Sequence, residues 1–151
     1  MACWYFPCRS GYNWLLQRSI GRRAFGQGVM ALARVLIVDD NHAMVEALSI
    51  VVGSKGHDTR VAYSGEEALD LIRAEMPDVV LLDLKMPGID GIETLGRLRA
   101  MPGGAGVPVI VVTATDEDDL EQRVTAAGAN GILRKPVDVA DLTNRIAELT
   151  Q

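Results

Sequence analysis

Short apolar runs alternate with segments of helical spacing from residue 33 to the end of the chain. Residues 35–38, 79–82 and 109–112 contain only Val, Leu and Ile. Continuous runs of this kind are typical of central parallel strands that are covered on both faces. A mixed run at 59–62 and a short apolar pair at 132–133 predict the two edge strands.

The segments that follow these runs carry apolar residues three or four positions apart, the spacing of one helical face. Five such faces are present: Met44/Leu48/Val51, Ala68/Leu69/Ile72, Ile92/Leu95/Leu98, Leu120/Val124/Ala127 and Leu142/Ile146/Leu149. Asn41 and Ser64 stand where they can cap the helices after them. The order predicts five β/α units and therefore an α/β sheet with helices on both faces.

Reactive side chains follow the ends of four predicted strands. Asp39 and Asp40 follow the first run, Asp83 the third in chain order, Thr113 the fourth, and Lys135 the short fifth. The carboxyl ends of parallel strands meet at one edge of a sheet, where open α/β folds bind their ligands. We therefore expect three carboxylates, a hydroxyl and an ammonium group to share one crevice.

Clustered carboxylates require a cation, because two unit charges about 4 Å apart repel by roughly 4 kcal/mol at an effective dielectric constant near 20. Mg²⁺ is the natural candidate, since it prefers carboxylate, carbonyl, water and phosphate oxygens. Asp83 is the best nucleophile, because a carboxylate beside a metal can attack phosphorus and form an acyl phosphate. Lys135 and Thr113 are suited to bind phosphoryl oxygens.

This ordered set resembles the receiver domains of two-component response regulators. The matching segments are 35–40 (Val-Leu-Ile-Val-Asp-Asp), 83–91 (Asp-Leu-Lys-Met-Pro-Gly-Ile-Asp-Gly), 112–114 (Val-Thr-Ala), 127–129 (Ala-Gly-Ala) and 135–136 (Lys-Pro). The resemblance covers residues 32–150. It implies a flavodoxin-like, doubly wound, five-stranded parallel sheet of strand order 2-1-3-4-5 with five surrounding helices.

The resemblance also implies roles for the residues at the strand ends. Asp83 would accept a phosphoryl group from the phosphohistidine of a sensor histidine kinase or a histidine phosphotransfer protein. Asp40, Asp83 and the backbone carbonyl of Lys85 would bind Mg²⁺, with Asp39 assisting. The protein would then be a phosphoacceptor with self-phosphorylation and autodephosphorylation activity rather than an enzyme.

One position departs from the family pattern. In many receivers an aromatic residue three positions before the Lys moves inward as the Thr moves toward the phosphoryl group. Ile132 holds that position here, and Tyr63 is the only aromatic residue after Phe25. We therefore expect Thr113 and Lys135 to contact the phosphoryl group, while the output route through the fourth helix, fifth strand and fifth helix lacks its usual aromatic residue.

The first part of the chain differs in composition from the rest. Residues 1–38 contain five Arg and no acidic residue, whereas residues 39–151 contain ten basic and twenty acidic residues, a net charge of −10. We expect an N-terminal extension at 1–31 and a receiver domain at 32–151. For the extension three interpretations stay open: an upstream or appended sequence with Met30 as the natural start, a targeting segment, or a flexible arm that binds a partner or an anionic surface.

Charge and hydropathy exclude other classes. The acidic body is a poor candidate for direct nucleic acid binding, and no charge-free apolar run approaches the roughly 20 residues of a membrane span. Both cysteines, Cys3 and Cys8, lie in the extension, so a reducing, cytoplasmic location is allowed. Because the chain ends just after the predicted fifth helix, we expect a stand-alone receiver, monomeric or weakly dimeric, that acts on a downstream effector protein, or else a fragment of a larger regulator.

Two other functions stay open. A metal-dependent phosphatase can use an acyl-phosphate aspartate, but it would favour a second acid two residues after the nucleophile, where this chain has Lys85. A pseudo-receiver that only binds other proteins would be expected to lack the acidic residues or the Lys, and this chain keeps Asp39, Asp40, Asp83 and Lys135.

Overall fold

A computed structural model describes residues 33–150, so the predicted extension at 1–31 lies outside the described residues. The strands are β1 (Arg34–Val38), β2 (Asp58–Ala62), β3 (Val79–Leu82), β4 (Val109–Thr113) and β5 (Gly131–Arg134). The helices are α1 (His42–Ser54), α2 (Gly65–Ala74), α3 (Gly91–Ala100), α4 (Leu120–Ala126) and α5 (Val139–Thr150), and a short 3₁₀ turn at Gly104–Gly106 precedes β4. Strands and helices alternate as the sequence predicts.

The strands form one parallel sheet in the order β2-β1-β3-β4-β5, which confirms the order implied by the family resemblance. Val38, the last residue of β1, lies opposite Ala62 of β2 and Leu82 of β3. On the other side of the sheet, Thr113 of β4 lies opposite Arg134 of β5. In the β3–β4 pair Leu82 lies opposite Val111, so β4 and β5 extend two residues beyond the ends of β1, β2 and β3 at the same edge of the sheet.

Side chains of each central strand alternate between two apolar layers. Leu36 and Val38 of β1 point into a cluster with α2 and α3, whereas Val35 and Ile37 point into a cluster with α1 and α5. Full burial of one Val, Leu or Ile side chain contributes about 1.5–3 kcal/mol. Because both faces of β1, β3 and β4 are covered, residues 35–38, 79–82 and 109–112 of these strands are apolar throughout, and they fix the sheet that holds the site.

The helix starts are capped as predicted. The side chain of Asn41 accepts a hydrogen bond from the backbone N–H of Met44, and that of Ser64 accepts one from Glu67. Asp90 caps α3 in the same way, through the N–H of Glu93. These caps set the points at which the chain leaves the loops at the carboxyl edge of the sheet and enters the helices.

Candidate functional site

Three carboxylates meet at the carboxyl edge of the sheet. Asp39, Asp40 and Asp83 each place an oxygen within 4.8 Å of the others. The sheet positions them directly: the N–H of Asp83 donates to the Val38 carbonyl at 2.9 Å, and the N–H of Asp39 donates to the Ala62 carbonyl at 3.2 Å. Asp39 and Asp83 are buried while Asp40 is exposed, so the cluster opens to solvent on one side.

Lys135 follows the edge strand β5, and its ammonium group contacts two of the three carboxylates. Its Nζ lies 2.7 Å from Oδ2 of Asp39 and 3.6 Å from Oδ1 of Asp83. The backbone N–H of Lys135 donates to the Thr113 carbonyl at 3.0 Å, which continues the β4–β5 pairing one residue past β5. The pairing of two strands that are distant in sequence from β1 therefore aims the ammonium group at Asp39 and Asp83.

The carboxylates and the ammonium group shift one another's protonation. Burial, and then the charge of Asp39, raise the pKa of Asp83 from 3.8 to about 6, although the Lys135 ammonium acts in the opposite direction. For Lys135, burial acts to lower the pKa, but the hydrogen bond to Asp39 and the charges of Asp83 and Asp39 outweigh it, so the pKa is raised. The Lys135 ammonium alone therefore does not return the pKa of Asp83 to its usual value. A divalent cation bound beside Asp83 would lower that pKa.

The donor set fits a hard divalent cation. Three carboxylates within 4.8 Å offer more negative charge than Lys135 neutralises, and oxygen is the ligand atom that Mg²⁺ prefers. Asp39, Asp40 and Asp83 lie where the strand-end prediction puts them. Lys85 lies in the loop after Asp83, and its side chain is exposed on the wall of an open groove of about 510 Å³ that reaches Thr115 and α4.

Thr113 ends β4 at the same edge, and its side chain is buried. Its hydroxyl oxygen accepts a hydrogen bond from the backbone N–H of Thr115 at 3.1 Å. The hydroxyl group is therefore held by the loop that leads to α4. This contact joins the edge of the sheet to the β4–α4 loop.

Two glycines shape the loop that carries Asp83 toward α3. A Cβ atom at Gly91 would lie 2.4 Å from the carbonyl oxygen of Asp83 and 2.7 Å from Cα of Leu84, so α3 starts in direct contact with the backbone of the acidic residue. Gly88 has a φ of +82°, a conformation that side chains disfavour. Both glycines lie in the segment at 83–91 that matches the family, but only the structure shows why each position requires glycine.

The structure also places an aromatic stack beside the cluster, which the sequence reasoning missed. The rings of His42 and Tyr63 stack with centroids 4.0 Å apart and planes 7° apart. His42 begins α1, two residues after Asp40, and Tyr63 follows β2. The register of Val38 with Ala62 is the signal that could have brought the two rings together, because each ring follows one of these residues within a few positions.

An open, doubly wound parallel sheet with acidic groups and a lysine at its carboxyl edge defines a class of α/β domains that bind their ligands at the strand ends. Within this class the chain belongs to the response regulator receiver domain family, whose model matches residues 35–147. Receiver domains of two-component systems are in general phosphoacceptors rather than classical enzymes. They bind Mg²⁺ at an acidic pocket and interact with histidine kinases or phosphotransfer proteins and with effectors.

Two curated relatives illustrate the match. The chain is 39% identical over 118 residues to the response regulator MprA of Mycolicibacterium vanbaalenii, a match that covers 77% of this chain and 49% of the relative. It is 37% identical over 113 residues to sporulation initiation phosphotransferase F of Bacillus subtilis, covering 75% of this chain and 90% of the relative. The chain thus spans about half the length of the MprA proteins and matches most of the second relative.

Solved structures agree with the fold. The receiver domain of the Francisella response regulator 1452 has a TM-score of 0.73 and 32% identity, over 78% of this chain and 96% of that one. The chemotaxis protein CheY4 of Vibrio cholerae has a TM-score of 0.75 and 28% identity, over 79% of this chain and 99% of that one. Among residues 33–150, no helix is both long enough and apolar enough to cross a membrane.

Proposed function

We propose that this chain is a phosphoacceptor switch of a two-component or phosphorelay pathway, with Asp83 as the residue that is phosphorylated. One observation carries the proposal: Asp83 is buried among carboxylates and lies 3.6 Å from the Lys135 ammonium group. A buried acid with a raised pKa beside specific charged partners is typical of functional sites, which supports a reactive role for Asp83.

The other site residues have separate roles in the proposal. Asp39, Asp40, Asp83 and the backbone carbonyl of Lys85 would hold Mg²⁺, which when bound neutralises the carboxylates and the oxygens of the incoming phosphoryl group. A carboxylate oxygen of Asp83 attacks the phosphorus of a phosphohistidine. The new P–O bond forms as the P–N bond breaks, and the imidazole leaves after taking up a proton.

The phosphorylated state is held by two further groups. Lys135 already lies between Asp39 and Asp83, so its Nζ can donate to a phosphoryl oxygen without a large movement. Thr113 can donate its hydroxyl proton to another phosphoryl oxygen, because the hydrogen bond from Thr115 uses only a lone pair of the hydroxyl oxygen. Water later hydrolyses the acyl phosphate, which resets the switch. A pseudo-receiver that only binds other proteins lacks such support, since it needs neither the acids nor the half-buried lysine.

The proposal extends to the setting of the switch. We assign the receiver to residues 32–151 and an extension to 1–31, in a cytoplasmic protein that acts as a monomer or weak homodimer without binding nucleic acid directly. The phosphodonor is a sensor histidine kinase or a histidine phosphotransfer protein, and the output is the binding of an effector protein. The match to a Bacillus subtilis phosphotransferase over 90% of its length supports the role of a phosphorelay intermediate.

The test is phosphorylation by a small acyl phosphate. The full chain is incubated with acetyl phosphate and Mg²⁺, and the intact mass is measured for the wild type, for Asp83→Asn and for Asp58→Asn. Asp58 is an exposed acid at the amino end of β2, the opposite edge of the sheet, and serves as the matched control. We expect one phosphoryl group on the wild type and on Asp58→Asn, and none on Asp83→Asn.

Two results would overturn the proposal. An absence of any adduct that depends on Asp83 would favour the pseudo-receiver. Steady hydrolysis of a phosphate ester such as p-nitrophenyl phosphate, abolished by Asp83→Asn, would favour the metal-dependent phosphatase.

A further inference from the structure

Arg134 ties β5 to the loop that follows β4. Its Nη1 donates to the backbone carbonyl of Thr115 at 2.5 Å and to Oδ1 of Asp116 at 2.8 Å. Arg134 is the last residue of β5, and it lies opposite Thr113 in the sheet. The guanidinium group therefore spans from the strand that carries Lys135 to the loop between Thr113 and α4.

The same loop holds the hydroxyl group of Thr113. The N–H of Thr115 donates to Thr113 Oγ1, while the carbonyl of Thr115 accepts from Arg134. One residue thus connects the hydroxyl group at the site with a cation on the surface of β5. If Thr113 Oγ1 moves toward a phosphoryl group at Asp83, the bond from the Thr115 N–H either breaks or draws residue 115 after it, and a shift of residue 115 also moves the carbonyl bound by Arg134.

Ile132 is half-buried and contacts an apolar cluster. It packs against the small cluster formed by Leu84, Val111, Leu120 and Val124, which joins α4 to the sheet. Inward movement of Ile132 would have to displace these packed side chains, and aliphatic cores resist such rearrangement. The polar connection through Thr115 requires only an exchange of hydrogen bonds at a loop.

We propose that Arg134 couples the phosphoryl site to the α4–β5 surface by holding the β4–α4 loop in its resting conformation through the Thr115 carbonyl. We call the hydrogen bond from Arg134 to the Thr115 carbonyl, together with its ion pair to Asp116, the tether. The inference rests on the proposed function, because the event that breaks the tether is the movement of Thr113 toward phosphorylated Asp83. A ligand shifts a two-state element only through interactions that differ between the states. The tether is such an interaction, since it is made in the resting state.

Solvent exposure indicates which of the two contacts of Arg134 contributes more to the coupling. The side chain of Asp116 is 93% exposed and that of Arg134 is 47% exposed, so solvent and salt screen this ion pair. Thr115, by contrast, is buried, and its backbone carbonyl belongs to the loop that moves. We therefore expect removal of Arg134 to have a larger effect than removal of Asp116.

The experiment compares Arg134→Ala and Asp116→Ala with the wild type and with Arg97→Ala, in the full chain with excess Mg²⁺. Arg97 is an exposed arginine of α3 that pairs with Glu93, and it serves as the matched control. The probe is beryllofluoride, a mimic of the phosphoryl group, and binding is followed by amide NMR. Linkage requires that a change favouring the phosphoryl-bound state also tightens binding of the mimic.

We expect Arg134→Ala to bind beryllofluoride at least about threefold more tightly than wild type, and Asp116→Ala to show a smaller change in the same direction. Without the mimic, the amide signals of Thr115 and α4 in Arg134→Ala should move part of the way toward their positions in the saturated wild type. Mere loss of packing would not produce shifts along that particular direction.

Affinities and amide shifts that match those of Arg97→Ala would overturn the coupling role. If this match is found while the wild type in the same preparation forms an adduct at Asp83 with acetyl phosphate, the coupling role of Arg134 is wrong and the proposed function stands. If the wild type forms no such adduct and does not bind beryllofluoride, both fail together. Asp116→Ala changes an exposed loop residue, so it keeps the test valid if Arg134→Ala does not fold.

Discussion

Replacing Asp83 with Asn should stabilise the metal-free protein at neutral pH. Burial and the charge of Asp39 raise the pKa of Asp83 from 3.8 to about 6 in the folded state, which disfavours its ionised form there by about 3 kcal/mol. The folded protein binds more protons than the unfolded chain across this range. The free energy of unfolding therefore falls as the pH rises from 3.8 through about 6, and the cost is fully present above it.

The expected gain for Asp83→Asn is about 1–3 kcal/mol at about pH 7.5, because the substitution removes the charge but keeps the shape. Lys135 keeps its closer partner, Asp39, at 2.7 Å. The measurement is urea denaturation in EDTA, followed by circular dichroism, with Asp58→Asn as the control. At about pH 4 most of the gain should vanish, since folded Asp83 is then protonated and the unfolded carboxyl partly so.

A variant that is no more stable than wild type near neutral pH would refute the reasoning. So would a gain that stays constant on acidification, because it would have to come from something other than the charge of Asp83. Mg²⁺ supplies an internal check: it should raise the stability of the wild type by mass action and leave that of Asp83→Asn nearly unchanged.

Three further predictions follow from the same structure. Mg²⁺ affinity, measured by calorimetry, should rise with pH through about 6, because Asp83 must lose its proton to bind the ion, and a flat profile would contradict this. Burial lowers the pKa of His57, so its contribution to stability is present above about pH 6.5 and is lost as the pH falls through the folded pKa; His57→Gln should weaken the acid sensitivity seen in denaturation curves. Lys85→Asn should speed the decay of phosphorylated Asp83 followed by intact mass, because a cationic side chain two residues after Asp83 can hold the phosphoryl oxygens or hinder the attacking water; an unchanged rate would contradict this.

The central part of the fold was predictable because burial on both faces leaves a strong trace in the sequence. The runs at 35–38, 79–82 and 109–112 are apolar throughout, and each lies in a central strand of the sheet. The first and last residues of the edge strands were harder to predict, since β2 (Asp58–Ala62) mixes exposed and buried positions. The strand order came from the family resemblance, because local periodicity does not state which strands are neighbours.

The positions of site residues that directly follow a strand end were predictable from the sequence. Parallel strands that end at one edge of the sheet bring Asp39, Asp83 and Lys135 together, and the observed distances agree. Contacts that depend on loop conformation left no such trace. The stack of His42 on Tyr63 and the bonds of Arg134 to the β4–α4 loop join residues from separate β/α units, and no spacing rule relates them.

The same distinction indicates how the proposed switch would work without the usual aromatic residue. Strand ends fix the chemistry at Asp83, so the acidic cluster tolerates little variation in position. The route from Thr113 to the surface passes through a loop, where one hydrogen-bonded connection can replace another. Ile132 fills the apolar space beside α4, and Arg134 offers a polar link to the same loop. Since only differences between the two states matter, the proposed loss of the Arg134–Thr115 hydrogen bond on phosphorylation would bias α4 without a ring that moves inward.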